Sequence, residues 1–108
     1  MFERKPPIRS TQEDVPELAE EIDRFVIGLA ERIDGIQDAE LAESRSELSD
    51  LSRMLAHDAD RLGYPEMAAI SKRVAMAAED AKPDALQDAV IELTDLAQRI
   101  RRGHRGAA

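Results

Sequence analysis

The sequence predicts an all-α fold, an antiparallel up-and-down four-helix bundle, and three observations support that prediction. The chain has 108 residues, enough for one domain with a single core. It contains no Cys and no Trp, one Tyr and two Phe, so aliphatic residues and Met must fill the core, and residues that favour strands are scarce. Apolar residues recur at helical spacing in four segments joined by short turns, which is typical of such a bundle.

The chain divides into an arm, a bundle and a tail. Residues 1–13 contain Pro6-Pro7 and show no periodicity, so we expect a mobile N-terminal arm that contributes little to the core. Residues 14–102 hold the four apolar stripes and form the bundle. Residues 103–108 form a basic C-terminal tail that begins with Gly103.

The first helix is predicted over residues 15–41. Asp14 is the expected N-cap, and Pro16 suits the first turn because its missing N–H has no partner there in any helix. The apolar stripe keeps its phase from Leu18 to Ile36, which favours one continuous helix. A break at Gly35 is the competing interpretation, since glycine costs a helix about 1 kcal/mol relative to Ala.

The second helix is predicted over residues 45–62. Four leucines share one side of it and should be buried: Leu48, Leu51, Leu55 and Leu62. Ser44 and Glu47 have the spacing of a capping box at its start. Gly63 can adopt a left-handed conformation without steric cost and is expected to end it.

Two further helices are predicted over residues 65–81 and 83–102, each beginning with a proline. Both continue the apolar stripes that face the bundle interior. Together with the four leucines, the expected core comprises Ile22, Leu29, Ile33, Ile70, Val74, Val90 and Leu93.

The charge of the chain is unevenly distributed. The formal net charge is -8, but residues 11–98 hold 22 acidic and 8 basic side chains, while residues 1–10 carry +2 and residues 99–108 carry +4. Binding of nucleic acid or of an anionic membrane depends on a basic surface, so neither is an expected partner. We interpret the basic tail as a complement to the dipole of the last helix and an aid to solubility.

The sequence does not favour a membrane protein, a metal site or an enzyme. The longest apolar run, residues 25–30, is far too short for a bilayer about 30 Å thick, and no signal segment opens the chain, so we expect a soluble cytoplasmic protein. The absence of Cys excludes thiolate zinc sites and thiol nucleophiles. Phosphate-binding loops and metal-chelating spacings are also missing, so no cofactor is expected and a binding role is favoured over catalysis.

One loose pattern around the second helix matches a known family. The family pattern is H-x-L-K-G, followed six residues on by a glycine that ends the helix. With that glycine placed on Gly63, the pattern's leucine falls on Leu55, its small residue on Ala59, and apolar positions on Leu51 and Leu62. Residues 25–102, about three quarters of the chain, resemble in this way the histidine-containing phosphotransfer (HPt) domains of bacterial phosphorelays. The resemblance implies a four-helix bundle whose exposed histidine exchanges a phosphoryl group with the aspartate of a receiver domain.

The chain departs from this pattern at the residues that carry its chemistry. Arg53 stands in the position of the acceptor histidine, Ala56 in that of the following lysine, and His57 in that of the small glycine. A guanidinium is neither nucleophilic nor deprotonated, so the standard transfer is not expected at position 53. We therefore predict an HPt-like signalling module that binds a response-regulator receiver domain, or another signalling protein, without standard phosphotransfer.

The expected partner-binding face lies opposite the leucines of the second helix. It comprises Asp50, Arg53, His57 and Asp60, which helical periodicity places on one side. Two alternatives remain open. One is an active phosphotransfer protein that uses His57, one turn after Arg53, as its acceptor; the other is a generic helical adaptor or structural bundle unrelated to signalling. The sequence does not define the oligomeric state.

Overall fold

The computed structural model describes residues 5–104 of the chain, and every regular element in that range is helical. A short 3-10 helix over Pro16–Leu18 precedes five α-helices: α1 (Ala19–Ile27), α2 (Leu29–Leu41), α3 (Arg45–Arg61), α4 (Pro65–Glu79) and α5 (Pro83–Gly103). The all-α prediction is confirmed, with five α-helices in the described residues where four were expected. Those parts of the predicted arm and tail that fall in residues 1–4 and 105–108 lie outside the described residues.

The helices α2 to α5 pack around a common core. The most extensive packing joins α3 to α4, followed by α4 with α5, and α2 contacts both α3 and α5. Arg45 at the start of α3 donates hydrogen bonds to the carbonyls of Ala78 and Glu79 at the end of α4, so these two helices are antiparallel. Arg32 near the start of α2 pairs with Asp58 near the end of α3, which shows the same relation for that pair. The short helix α1 packs on α2 and α5.

The predicted core is buried with one exception. Ten of its residues are buried: Ile22, Leu29, Ile33, Leu48, Leu55, Leu62, Ile70, Val74, Val90 and Leu93. Leu51 is only partly buried, at the edge of the core, because it faces the looser side of α3 toward α2. The apolar stripes therefore identified the inward side of each helix correctly.

The predicted long first helix is interrupted at Gly28, and not at Gly35. The interruption takes one residue: the Gly28 N–H donates to the carbonyl of Arg24, and its own carbonyl accepts from Arg32. Gly35 lies inside α2, where a Cβ would make only an ordinary contact with Leu51. Because helical hydrogen bonds continue on both sides of Gly28, the apolar stripe keeps its phase across the interruption and gives no sign of it.

Both predicted side-chain caps are absent. The 3-10 helix begins after Val15, so Asp14 is not the N-cap, and Val15 makes no side-chain capping bond. Ser44 does occupy the N-cap position of α3, but its side chain makes no capping hydrogen bond. Both helices therefore begin without a side-chain hydrogen bond at the N-cap.

The three turns that join α2 to α5 share one geometry. A residue with positive φ follows each helix: Glu43 (φ 55°), Gly63 (φ 86°) and Ala81 (φ 54°). In each turn the next residue donates its backbone N–H to the carbonyl five residues earlier, at N–O distances between 2.8 and 3.0 Å. This is the Schellman arrangement that satisfies the last carbonyls of a helix. The predicted role of Gly63 is confirmed, whereas Glu43 and Ala81 adopt the left-handed conformation without being glycine.

The described part of the N-terminal arm, residues 5–13, lies against the helices. The Ile8 N–H donates to the carbonyl of Arg99 (3.0 Å), and the Thr11 N–H donates to the carbonyl of Gly63 (2.9 Å). Ile8 packs against the core and Ser10 is buried. The expectation that this segment contributes little to the core is therefore wrong at these two residues.

Candidate partner-binding face

The four residues predicted to meet a partner lie on the open side of α3. Asp50, Arg53, His57 and Asp60 are all exposed. The opposite side of the same helix is sealed by Leu48, Ser52, Leu55, Ala56 and Ala59, which are buried. Because α3 is anchored along this buried side, the four exposed side chains project from a rigid element and not from a loop.

Arg53 is paired with a carboxylate of the same chain. Its Nε donates to Oε2 of Glu79 (2.8 Å), and its Nη2 donates to Oε1 (2.7 Å), which is a two-pronged guanidinium–carboxylate contact. Ser49 also donates a hydrogen bond to Glu79. Sequence reasoning missed Glu79, since it lies 26 residues from Arg53 and reaches it only through the packing of α4 on α3.

This pairing holds both groups in their charged forms. The hydrogen bonds from Arg53 and then from Ser49 lower the pKa of the Glu79 carboxyl to about 2. The hydrogen bond and the charge of Glu79 raise the already high pKa of Arg53. The guanidinium at position 53 is therefore a permanent cation with no lone pair to attack a phosphoryl group.

The Arg53–Glu79 pair lies at the surface, so it can be exchanged. About half of the Arg53 side chain is exposed to solvent. Ion pairs at such exposed sites contribute little to stability, because water and salt screen them. A partner carboxylate could displace Glu79 from Arg53 at small cost.

Two methionines that the sequence analysis did not single out extend this face. Met54 follows Arg53 directly on α3, and Met76 lies one turn before Glu79 on α4. Each is more than half exposed. Methionine is flexible and polarisable, and it is common on surfaces that adapt to a partner. The exposure of Met54 could have been predicted from the sequence, because helical spacing places it on the side of α3 away from the core leucines.

His57 lies one helical turn beyond Arg53 and is exposed. An aspartate, Asp58, follows it directly, and this carboxylate pairs with Arg32 at 3.0 Å. The charges around His57 on α3 are mixed: Asp60 lies three residues after it, and Arg53 and Arg61 lie four residues to either side.

Residues 5–104 show neither a metal-binding cluster nor a helix suited to crossing a membrane. No group of three or more His, Asp or Glu side chains converges there in a way that could hold a metal ion. Within the same residues, no helix combines the length and the apolar character that crossing a membrane requires.

Comparison with known proteins adds no relative. No protein-family model, curated protein or solved structure matches this chain.

Proposed function

We propose that this chain is an HPt-like four-helix module that binds a response-regulator receiver domain, or a related signalling protein, through the open face of α3. The observation that carries the proposal is the two-sided character of α3, which is sealed by leucine and alanine on one side and displays Asp50, Arg53, His57 and Asp60 on the other. An exposed helix face on a rigid scaffold is the arrangement that the resemblance to HPt domains implies.

The proposed module recognises its partner without taking its phosphoryl group at position 53. Transfer needs a nucleophile with a free electron pair, and the Arg53 guanidinium has none. A fixed cation in that place instead favours the acidic pocket of a receiver domain by charge complementarity. Met54 and Met76 supply exposed apolar surface beside the cation.

The Glu79 carboxylate competes with the acidic groups of a partner for the Arg53 guanidinium, so substitutions of these two residues test the proposal. Arg53→Ala should weaken binding of a receiver domain several-fold, whereas Glu79→Gln should tighten it by freeing the guanidinium. Raised salt should shrink both effects, since screening acts on the same charges. The measurement is titration calorimetry against purified receiver domains encoded in the same genome.

Arg73→Ala is the matched control for that experiment. Arg73 is an exposed arginine on α4 whose guanidinium is paired with Glu92 of α5 (3.3 Å), and not with a residue of α3. Its removal should leave binding unchanged. Equal losses in the Arg53 and Arg73 variants would show that only net charge matters and would contradict the proposed face.

The rival function is active phosphotransfer through His57, and its exposure on α3 favours it. The test incubates the protein with a receiver domain that carries labelled phosphate and then treats the product with acid and with base, since phosphohistidine is labile in acid and survives base. The proposal expects binding without label on this chain. Label that appears on the wild type and is lost in His57→Ala would replace the proposal with this rival, and failure to bind any receiver domain would leave a generic helical adaptor.

A further inference from the structure

The basic residues at the end of α5 serve two different purposes. Arg99 Nε donates to the carbonyl of Pro6 (2.9 Å), and Arg102 Nη2 donates to the carbonyl of Lys5 (3.0 Å), so these two hold the N-terminal segment. Carbonyl oxygens carry no net charge, so these contacts do not compensate the guanidinium charges, although Arg99 also pairs with Asp95 (3.9 Å). Arg101 is exposed and faces a hollow beside α1. The function proposed above makes no use of this end of the molecule.

The hollow beside Arg101 has an apolar floor and a basic rim. We call it the basic groove; its volume is about 620 Å³, and it is lined by Val26, Ile27, Gln98, Arg101, Arg102 and His104. Ile27 is 69% exposed within it, although isoleucine is among the most apolar side chains. The groove continues between α2 and α5 into a second hollow that shares Gln98 and Arg101 with it.

The other end of α2 has the opposite character. Leu41 is 83% exposed at the last position of the helix, where the chain turns toward α3. Its neighbours Glu40 and Glu43 are acidic, and the last turn of α2 contains no basic residue. We call Glu40, Leu41 and Glu43 the acidic tip. It presents a protruding apolar side chain beside two carboxylates, and Arg45 and Lys82 line the hollow on the inner side of those carboxylates. The basic groove presents an exposed isoleucine beside two arginines.

We propose that the acidic tip of one copy of this chain docks in the basic groove of a second copy. Leu41 would cover Ile27, while Glu40 and Glu43 would meet Arg101 and Arg102. The two surfaces differ and lie at opposite ends of α2, about 18 Å apart along its axis. Such a contact joins two different surfaces, so it links copies head to tail, either in an open chain or in a closed ring in which every tip is docked.

The contact is small, so the association is weak and depends on charge. A protruding leucine and its neighbours bury less surface than the roughly 1,600 Å² of a standard stable interface. Self-association should therefore appear only at high protein concentration, from about 100 μM to about 1 mM. It should weaken as salt rises, because the carboxylate and guanidinium groups at the contact are exposed in the free protein.

Two variants that each block one surface provide the test. Ile27→Glu places a carboxylate in the basic groove, and Leu41→Lys places a cation in the acidic tip. Sedimentation equilibrium should show an average mass that rises with concentration for the wild type and stays at one copy for each variant alone. An equimolar mixture of the two variants should form one-to-one dimers, because each retains the surface that the other lacks.

Ile91→Glu is the matched control, since Ile91 is an exposed isoleucine on α5 that lines neither surface. It should associate like the wild type, and circular dichroism should show the same helix content in all variants. A wild type that stays at one copy, or a variant mixture that remains at one copy, would overturn the proposal.

Discussion

Ser52 and Ser71 are fully buried, and neither hydroxyl has a hydrogen-bond partner among residues 5–104. A buried hydroxyl without a partner loses its hydrogen bonds to water and costs about 1 to 3 kcal/mol. Both serines lie on the two helices that pack most closely, α3 and α4. Their small size lets the helices approach, and alanine would do the same without the polar atom.

We therefore expect Ser71→Ala to raise the free energy of unfolding by about 1 kcal/mol, measured by urea denaturation. Ser52→Ala should act in the same direction. Ser49→Ala is the control: its hydroxyl is bonded to Glu79, so its loss should not stabilise the protein. A drop in stability for Ser71→Ala would show that the hydroxyl has a partner in solution.

For the residues of the partner-binding face, the sequence could predict which side chains are exposed but not which residues they pair with. Helical periodicity alone places Arg53 and His57 on the side of α3 away from the leucines, and the structure exposes both. The partner of Arg53 could not be predicted this way, because Glu79 belongs to another helix and its position depends on how α4 packs on α3. The apolar periodicity of one helix shows which side of that helix is buried, but it does not show which residues of another helix lie beside it.

At the scale of the elements, the positions of the turns were predictable but their backbone conformation was not. Gly63 is the residue expected in a left-handed turn, whereas Glu43 and Ala81 occupy the same conformation with a Cβ. No residue-type signal marks Ala81 as special. The tertiary packing of α4 and α5 imposes this turn and outweighs the local preference.

This conformation makes Ala81→Gly a stabilising substitution. Glycine relieves the steric cost of positive φ, so the free energy of unfolding should rise by about 0.5 to 1 kcal/mol. Asp80→Gly is the matched control one residue earlier, where φ is -85° and glycine relieves nothing. That variant should lose stability in the same denaturation experiment. Equal effects of the two substitutions would show that the left-handed turn at Ala81 carries no strain.

At the scale of the whole molecule, the N-terminal segment closes over the ends of α3 and α5, and two glycines make room for it. A Cβ on Gly63 would lie 2.5 Å from Ser10 Oγ, and a Cβ on Gly103 would overlap the backbone of Ile8. The sequence marked both glycines only as helix ends. Their second use could not be predicted, because residues 5–13 attach through backbone hydrogen bonds that leave no periodic pattern.

Gly103→Ala should therefore destabilise the protein, although alanine is the better helix former. The added methyl group would push Ile8 away from α5, so the Ile8 amide should exchange its hydrogen faster once its bond to Arg99 is lost. Gly35→Ala is the control, since its Cβ would make only an ordinary contact inside α2 and should stabilise the protein by about 1 kcal/mol. Unchanged exchange at Ile8 in the Gly103 variant would contradict the close approach.

Tyr64 is a core residue whose ionisation should make the stability of the whole protein depend on pH. It is the only tyrosine of the chain, 2% exposed, and its ring stacks on Phe25 with centroids 5.6 Å apart. Burial, aided by the charge of Glu13, raises the pKa of its phenol from 10.0 to about 12. The folded protein therefore binds this proton more tightly than the unfolded chain does.

A raised pKa in the folded state stabilises the protein fully below the unfolded pKa, and this contribution is lost as pH rises from about 10 to about 12. A shift of this size corresponds to roughly 2 to 3 kcal/mol. Denaturant titrations across this range should show a decline in the free energy of unfolding that is smaller in Tyr64→Phe, which controls for the titration of lysines. The absorbance of tyrosinate follows the same group directly. A folded protein whose tyrosine ionises near pH 10 with no loss of stability would show that Tyr64 is not buried in solution.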